Sequence, residues 1–344
     1  MFNADAGRSR RMLYRRMGTT GIKVSVISLG LKHNFNSEKD FKSCREIVLT
    51  AFNNGINYFD LGGNFGDKAN DYETSGMTEK IFGKIMQEDL MPYRDEIVIS
   101  TKVGGKSMSD APMSEGGSRK LILSQVDKSL ERLRIPYVDI LFHENYDHDI
   151  NPEETALALA EVVKQGKALY IGLTNYTSLE VRRMADLLRK LDVPFVGGQI
   201  RYSYLIRDAE DDGVVDTYFD FGGGTMAYQC LAQGLLTNKY ISQDIPEVCR
   251  ATKDFIPTLN REDVTEELRG TLTKLNIVAA QRAQSIGQIS LAWVLKNQKI
   301  ATAVVGVCKI PQLAEDIGVL KKLGFTPDEL KRLGDEQITK GRKR

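Results

Sequence analysis

The chain has little of what staples or anchors a fold. Its four cysteines, Cys44, Cys230, Cys249 and Cys308, lie far apart and form no CxxC pair. That argues against a structural zinc and for a reducing compartment, which is read as the cytoplasm. Neither His33 nor His143 sits in an HxxE or HExxH spacing, so both are read as hydrogen-bonding histidines and no metal is expected. Nowhere do about eighteen apolar residues run together, and the start Met1-Phe2-Asn3-Ala4-Asp5 has no apolar leader segment. No membrane segment is therefore expected. A formal net charge of +1 leaves no overall field that would select nucleic acid. No GxGxxG follows the first apolar run, which removes the support for a Rossmann domain.

What the chain does have is a core and a rhythm. Of 344 residues, 42% are hydrophobic and 27% charged, enough for a full interior under a water-compatible surface. After a β-hairpin at about residues 12–25, apolar strands are predicted at Val26–Leu31, Tyr58–Leu61, Ile97–Lys102, Tyr137–Phe142, Leu169–Leu173, Val196–Tyr202, Gly224–Tyr228 and Thr302–Val307. Amphipathic helices alternate with them at Phe41–Asn53, Thr78–Met86, Arg119–Arg134, Pro152–Gln165, Ser178–Lys190, Val214–Phe219 and Gln312–Leu323. Eight βα units predict an α/β fold closed into a (β/α)8 TIM barrel, one domain over residues 1–344. A long loop after strand seven, about 232–262, reads as a lid or binding loop, and a last helix at Pro327–Thr339 precedes a basic tail.

One stretch stands apart. Tyr58-Phe59-Asp60-Leu61 ends a strand in a carboxylate before Gly62-Gly63, and the next strand ends in Lys102. A buried carboxylate is costly unless a cation meets it. Acid and base at neighbouring strand ends make a site hypothesis, with a purely structural ion pair as the alternative.

The runs Tyr14-Arg15-Arg16-Met17-Gly18 to Ser28-Leu29-Gly30-Leu31, Gly55 to Asp60, Ser100-Thr101-Lys102, Tyr137-Val138-Asp139-Ile140, Gly166 to Gly172 and Leu231 to Thr237 occur in the order found in one family. With the Gly306 segment they make the chain resemble the aldo-keto reductases, in the branch of L-glyceraldehyde 3-phosphate reductases and potassium-channel β-subunits. The resemblance implies NADP(H) bound across the C-terminal face of a barrel, with NAD(H) as the alternative, and hydride exchange with a small carbonyl or hydroxy substrate that is sugar-like or anionic.

The resemblance also implies a catalytic Asp, Tyr, Lys and His. Asp60 and Lys102 stand at the matching places, whereas Phe65 replaces the Tyr and Glu144 the His, with His143 one residue early. Strand alternation places Glu144, not His143, on the side of Ile140 and Phe142. A phenyl ring has no proton to give, so the candidate donors are Glu144, Lys102, or a hydroxyl brought in from a loop by Tyr146 or Tyr72. Lys32, His33 and His143 are the candidate substrate contacts. For the cofactor, Asn175 and Gln199 match the nicotinamide amide holders and Tyr228 the stacking aromatic. Gln229, Leu231, Gln233, Gly234 and Leu235 match the pyrophosphate loop. Gly306, Cys308, Lys309, Gln312, Glu315 and Asp316 match the adenosine end, with Lys309 as the 2′-phosphate cation. Two competing readings are a catalytically silent nucleotide-binding regulatory protein and a cofactor-assisted isomerase or dehydratase. Homo-oligomerisation is left open.

Overall fold

The structure is a computed structural model that describes residues 2–31, 35, 40–63, 76–105, 116–241 and 264–334. An antiparallel pair, β1 (Tyr14–Arg16) and β2 (Lys23–Ser25), precedes the main sheet. Eight strands then close a barrel: β3 (Ile27–Gly30), β4 (Tyr58–Asp60), β5 (Val98–Val103), β6 (Val138–Glu144), β7 (Ala168–Thr174), β8 (Phe195–Arg201), β9 (Gly224–Tyr228) and β10 (Ile300–Val305), which pairs back onto β3. Neighbours are parallel all the way round, as eight βα units require.

Helices cover the outside: α1 (Phe41–Asn53), α2 (Met77–Ile85), α3 (Arg119–Leu133), α4 (Pro152–Lys164), α5 (Ser178–Lys190), the short α6 (Asp208–Asp212) and α7 (Val214–Asp220), α8 (Glu266–Gln281), α9 (Ile286–Leu295), α10 (Ile310–Ile317) and α11 (Pro327–Arg332). Side chains at their first turns start them. Asp40 accepts from Ser43 N at 2.9 Å ahead of α1. Thr177 with Glu180, and Ser285 with Gln288, form capping boxes ahead of α5 and α9.

Two apolar clusters follow from strand alternation. The larger lies between barrel and helices; the smaller fills the barrel with Tyr58, Val98, Ile140, Phe142, Val196, Met226 and Ala301. Met17 and Val24 of the hairpin belong to that inner cluster, among residues that open their strands. The hairpin thus closes the N-terminal end and leaves the C-terminal end as the mouth. Space inside is made by small residues: a Cβ at Gly172 would stand 2.4 Å from the Phe142 ring, its partner in register.

Two expectations change. The loop after strand seven contains two short 3-10 turns, Ala232–Gly234 and Asn238–Tyr240, before residues 242–263, which lie outside the described set. Two helices not anticipated, α8 and α9, then precede β10. The terminal helix is described over Pro327–Arg332 and is followed by Gly334 in left-handed backbone at φ +71°; residues 335–339 of the expected helix lie outside the described set. No described helix is long and apolar enough to cross a membrane.

Candidate active site

The mouth is built from inward-facing residues at the ends of successive strands. Tyr58 faces the interior, so Asp60, two residues on, does too; Ser100 and Lys102 follow the same rule in β5. Lys102 Nζ lies 2.8 Å from Asp60 Oδ1 and donates to the Leu61 carbonyl at 2.8 Å. Ser100 Oγ donates to the same carboxylate oxygen at 2.7 Å, and Tyr58 Oη at 3.1 Å. Burial, with the Asp60 charge beside it, pushes the Tyr58 hydroxyl well above its ordinary pKa, so it remains a donor. Asp60 and Lys102 are only 6% and 8% exposed, yet each has its charge met. Tyr58 and Ser100 were not foreseen; counting two residues back from Asp60 and Lys102 would have found both.

On β6 the row runs Lys102, Phe142, Gly172, and one step nearer the mouth Glu144, Thr174, Gln199, Met226. Met226 is part of the inner cluster, which fixes Glu144 and Gln199 as inward. The tilt of barrel strands brings these rows to a common height. Asn175, in left-handed backbone at φ +60°, accepts from Tyr228 Oη at 2.6 Å and donates to Glu144 Oε1 at 3.5 Å. Burial raises the Tyr228 hydroxyl to about 12, with Arg201 opposing and the Glu144 and Asp60 charges adding, so all four groups sit within electrostatic reach.

His143 is not brought to the mouth. It is fully buried on the outer side of β6, with Nδ1 2.6 Å from Tyr176 Oη and a Cβ at Gly104 only 2.6 Å from Nε2. Burial lowers it to about 4, so it is neutral at ordinary pH. Lys32, His33, Phe65 and Tyr72 lie outside the described residues.

The remaining cofactor candidates gather along β8 to β10. Gln199 Nε2 is buried and has no hydrogen-bond partner among the described residues, which suits a donor awaiting a carboxamide oxygen. Gln229, Ala232, Gln233 and Gly234 all carry positive φ, +55°, +45°, +60° and +97°. This tight turn spends its own amides: Ala232 N donates to the Gln229 carbonyl at 2.7 Å, Gly234 N to that of Leu231 at 2.8 Å and Leu235 N to that of Ala232 at 3.1 Å. Beyond β10, Gln312 Oε1 accepts from the backbone of Cys308 at 2.8 Å and of Lys309 at 3.1 Å, which shapes the loop after Gly306. Glu315 accepts from Ser285 Oγ at 2.6 Å and joins α10 to α9. Asp316 is buried, and desolvation raises its carboxyl to about 8. These residues fit an extended nicotinamide dinucleotide: an open amide donor at Gln199, an aromatic face at Tyr228 and, at the far end, a lysine at position 309. Among the described residues no group of His, Cys, Asp or Glu is placed to hold a metal.

A family model described as the aldo/keto reductase family matches residues 26–336. The chain belongs to that family. It is accordingly an oxidoreductase. Two relatives named L-glyceraldehyde 3-phosphate reductase, from Escherichia coli O157:H7 and from Escherichia coli strain K12, are each 38% identical over 340 residues, 98% of this chain and 96% of theirs. A Schizosaccharomyces pombe protein, whose name assigns it provisionally to the voltage-gated potassium channel β-subunits, is 29% identical over 327 residues, 94% of this chain and 92% of its own.

Proposed function

We propose that the protein is an NADP(H)-dependent reductase of small carbonyl compounds, run in reverse on the matching alcohols, with Lys102 and Glu144 handling the proton that Phe65 is unable to give. The observation that carries the reading is the Asp60–Lys102 pair at 2.8 Å, kept buried at the barrel mouth, the end at which Glu144 also faces inward. An ion pair there brings little stability compared with apolar packing, so its presence at the strand ends suits chemistry.

When bound, the cofactor supplies or accepts the hydride. The chain's residues do the rest. Asn175 and Gln199 would hold the nicotinamide amide, Tyr228 would back its ring, the Gln229–Leu235 turn would take the pyrophosphate, and Lys309 would meet a 2′-phosphate as a point charge. As the carbonyl gains electrons its oxygen becomes anionic, and Lys102 places a positive charge at the mouth to stabilise it. Glu144 is the second proton carrier, with Asn175 fixing one of its oxygens. Tyr228 stays protonated up to about 12 and so holds position without titrating. Among the described residues Cys44 and Cys230 are buried and Cys308 is exposed, and the scattered cysteines suit a reducing cytoplasm.

The names of the Escherichia coli relatives favour a phosphorylated aldehyde as the substrate type. The S. pombe relative favours a second reading, a barrel that binds nucleotide and catalyses nothing. Lys102→Met and Glu144→Gln decide the site: each is expected to lower kcat by roughly 10²–10⁴ while NADPH still quenches protein fluorescence. Full turnover in both variants would remove these residues from the chemistry.

A further inference from the structure

Arg201 ends β8 two residues past the inward-facing Gln199, and it pairs in register with Tyr228 of β9. Alternation therefore puts it on the mouth side of the sheet, one rung above Gln199. The register sets Arg201 and Tyr228 side by side on one face of the sheet, and the arginine charge opposes the effect of burial on the Tyr228 hydroxyl. The other ionised side chains felt by Tyr228 are Glu144 and Asp60, across the mouth, and Asp60 is already bonded to Lys102. Arg201 is thus a cation on the opposite wall from the acid–base pair.

Its tether is loose. Among the described residues a single contact joins Arg201 Nη2 to Asp208 Oδ2 at 3.2 Å, and the two side chains are 53% and 80% exposed. Asp208 opens the short α6, on the segment that leaves β8. A solvated pair of this kind contributes next to nothing and exchanges readily for another anion. A guanidinium also offers a planar fork of donors that matches two oxygens at once.

We propose that Arg201 anchors the anionic terminus of the substrate, a phosphate monoester or a carboxylate, with Asp208 occupying the fork until the substrate arrives. This rests on the reductase reading for its site and names the substrate class: aldehydes or ketones that carry an anionic group away from the carbonyl. The loose cation beside Tyr228, facing the Asp60–Lys102 pair from the far wall, is what points to it. The same chemistry is available from the cofactor's pyrophosphate, and the test separates the two.

Arg201→Met, Arg201→Lys and Asp208→Asn are compared with wild type in two assays. The first is NADPH turnover on glyceraldehyde 3-phosphate against glyceraldehyde, and on succinic semialdehyde against butyraldehyde. The expected result is that Arg201→Met lowers the charged-to-neutral preference in kcat/KM by roughly tenfold or more, with Arg201→Lys intermediate. The second assay titrates glycerol 3-phosphate, which has no carbonyl, into the NADPH-loaded protein by calorimetry. Binding should weaken in Arg201→Met and tighten in Asp208→Asn, whose competing carboxylate is gone. Because this assay needs no turnover, an inactive protein that still binds glycerol 3-phosphate through Arg201 would sink the reductase reading and keep the anchor. An unchanged preference and unchanged glycerol 3-phosphate affinity in Arg201→Met would overturn it. So would a parallel loss of NADPH affinity with no change in preference, which would assign Arg201 to the cofactor.

Discussion

Asp60 Oδ1 takes hydrogen bonds from three side chains, Lys102, Ser100 and Tyr58. A carboxylate so deeply placed is tolerated because each partner replaces water. Removing Lys102 alone strands the charge, and Lys102→Met is expected to cost about 3–5 kcal/mol of stability in urea unfolding. Lys102→Met with Asp60→Asn neutralises both partners and should recover most of that loss; equal instability of single and double variants would contradict the account. Asp316 makes a prediction with pH. Its folded carboxyl titrates at about 8, whereas an unfolded aspartate titrates near 4. Between those values the unfolded chain has lost the proton that the folded chain keeps, so stability falls as pH rises from about 4 to about 8 and then levels off. Asp316→Asn removes that slope. Its Tm should match wild type near pH 4 and exceed it near pH 9, by an amount equivalent to a few kcal/mol. Parallel Tm–pH curves would show that Asp316 is not desolvated.

At the scale of elements, the hairpin is the part whose role is structural and separable. Met17 and Val24 plug the end opposite the mouth, and Thr19 N bonds the Gly222 carbonyl at 2.8 Å to seat the turn. Met17→Ala should cost roughly 2–5 kcal/mol in chemical denaturation, because it leaves a cavity in a packed interior. The same variant is expected to keep wild-type KM for NADPH; a raised KM would mean the hairpin shapes the mouth. Much of this architecture was legible. Phe41–Asn53, Ser178–Lys190 and Gly224–Tyr228 fall where periodicity and flanking polar residues put them. The helix Ile286–Leu295 was not, because nine of its residues are buried and it has no polar face to set a period. At the mouth, Asp60, Lys102, Glu144 and Gln199 could be placed by alternation alone. Arg201 obeys the same rule but carries no motif, and nothing short of strand pairing shows that it borders Tyr228. The left-handed turn at Gln229–Gly234 was equally hidden, since only one of its residues is glycine.

Across the whole molecule, stability and chemistry occupy opposite ends of one barrel. The N-terminal end is closed by the hairpin and apolar side chains. The C-terminal end collects two carboxylates, a lysine, an arginine, a tyrosine and buried amide donors. That polarity is what a βα barrel offers a catalyst, since every strand delivers its last inward residue to the same rim. The proposed function requires this rim to exchange hydride although position 65 is phenylalanine. The most direct test follows NADPH absorbance together with product formation while wild-type protein meets a panel of small aldehydes and ketones with and without anionic groups. The account predicts carbonyl-dependent loss of NADPH with one alcohol formed per cofactor oxidised. Tight NADPH binding with no turnover in either direction, or product formed without net change in NADPH, would contradict it.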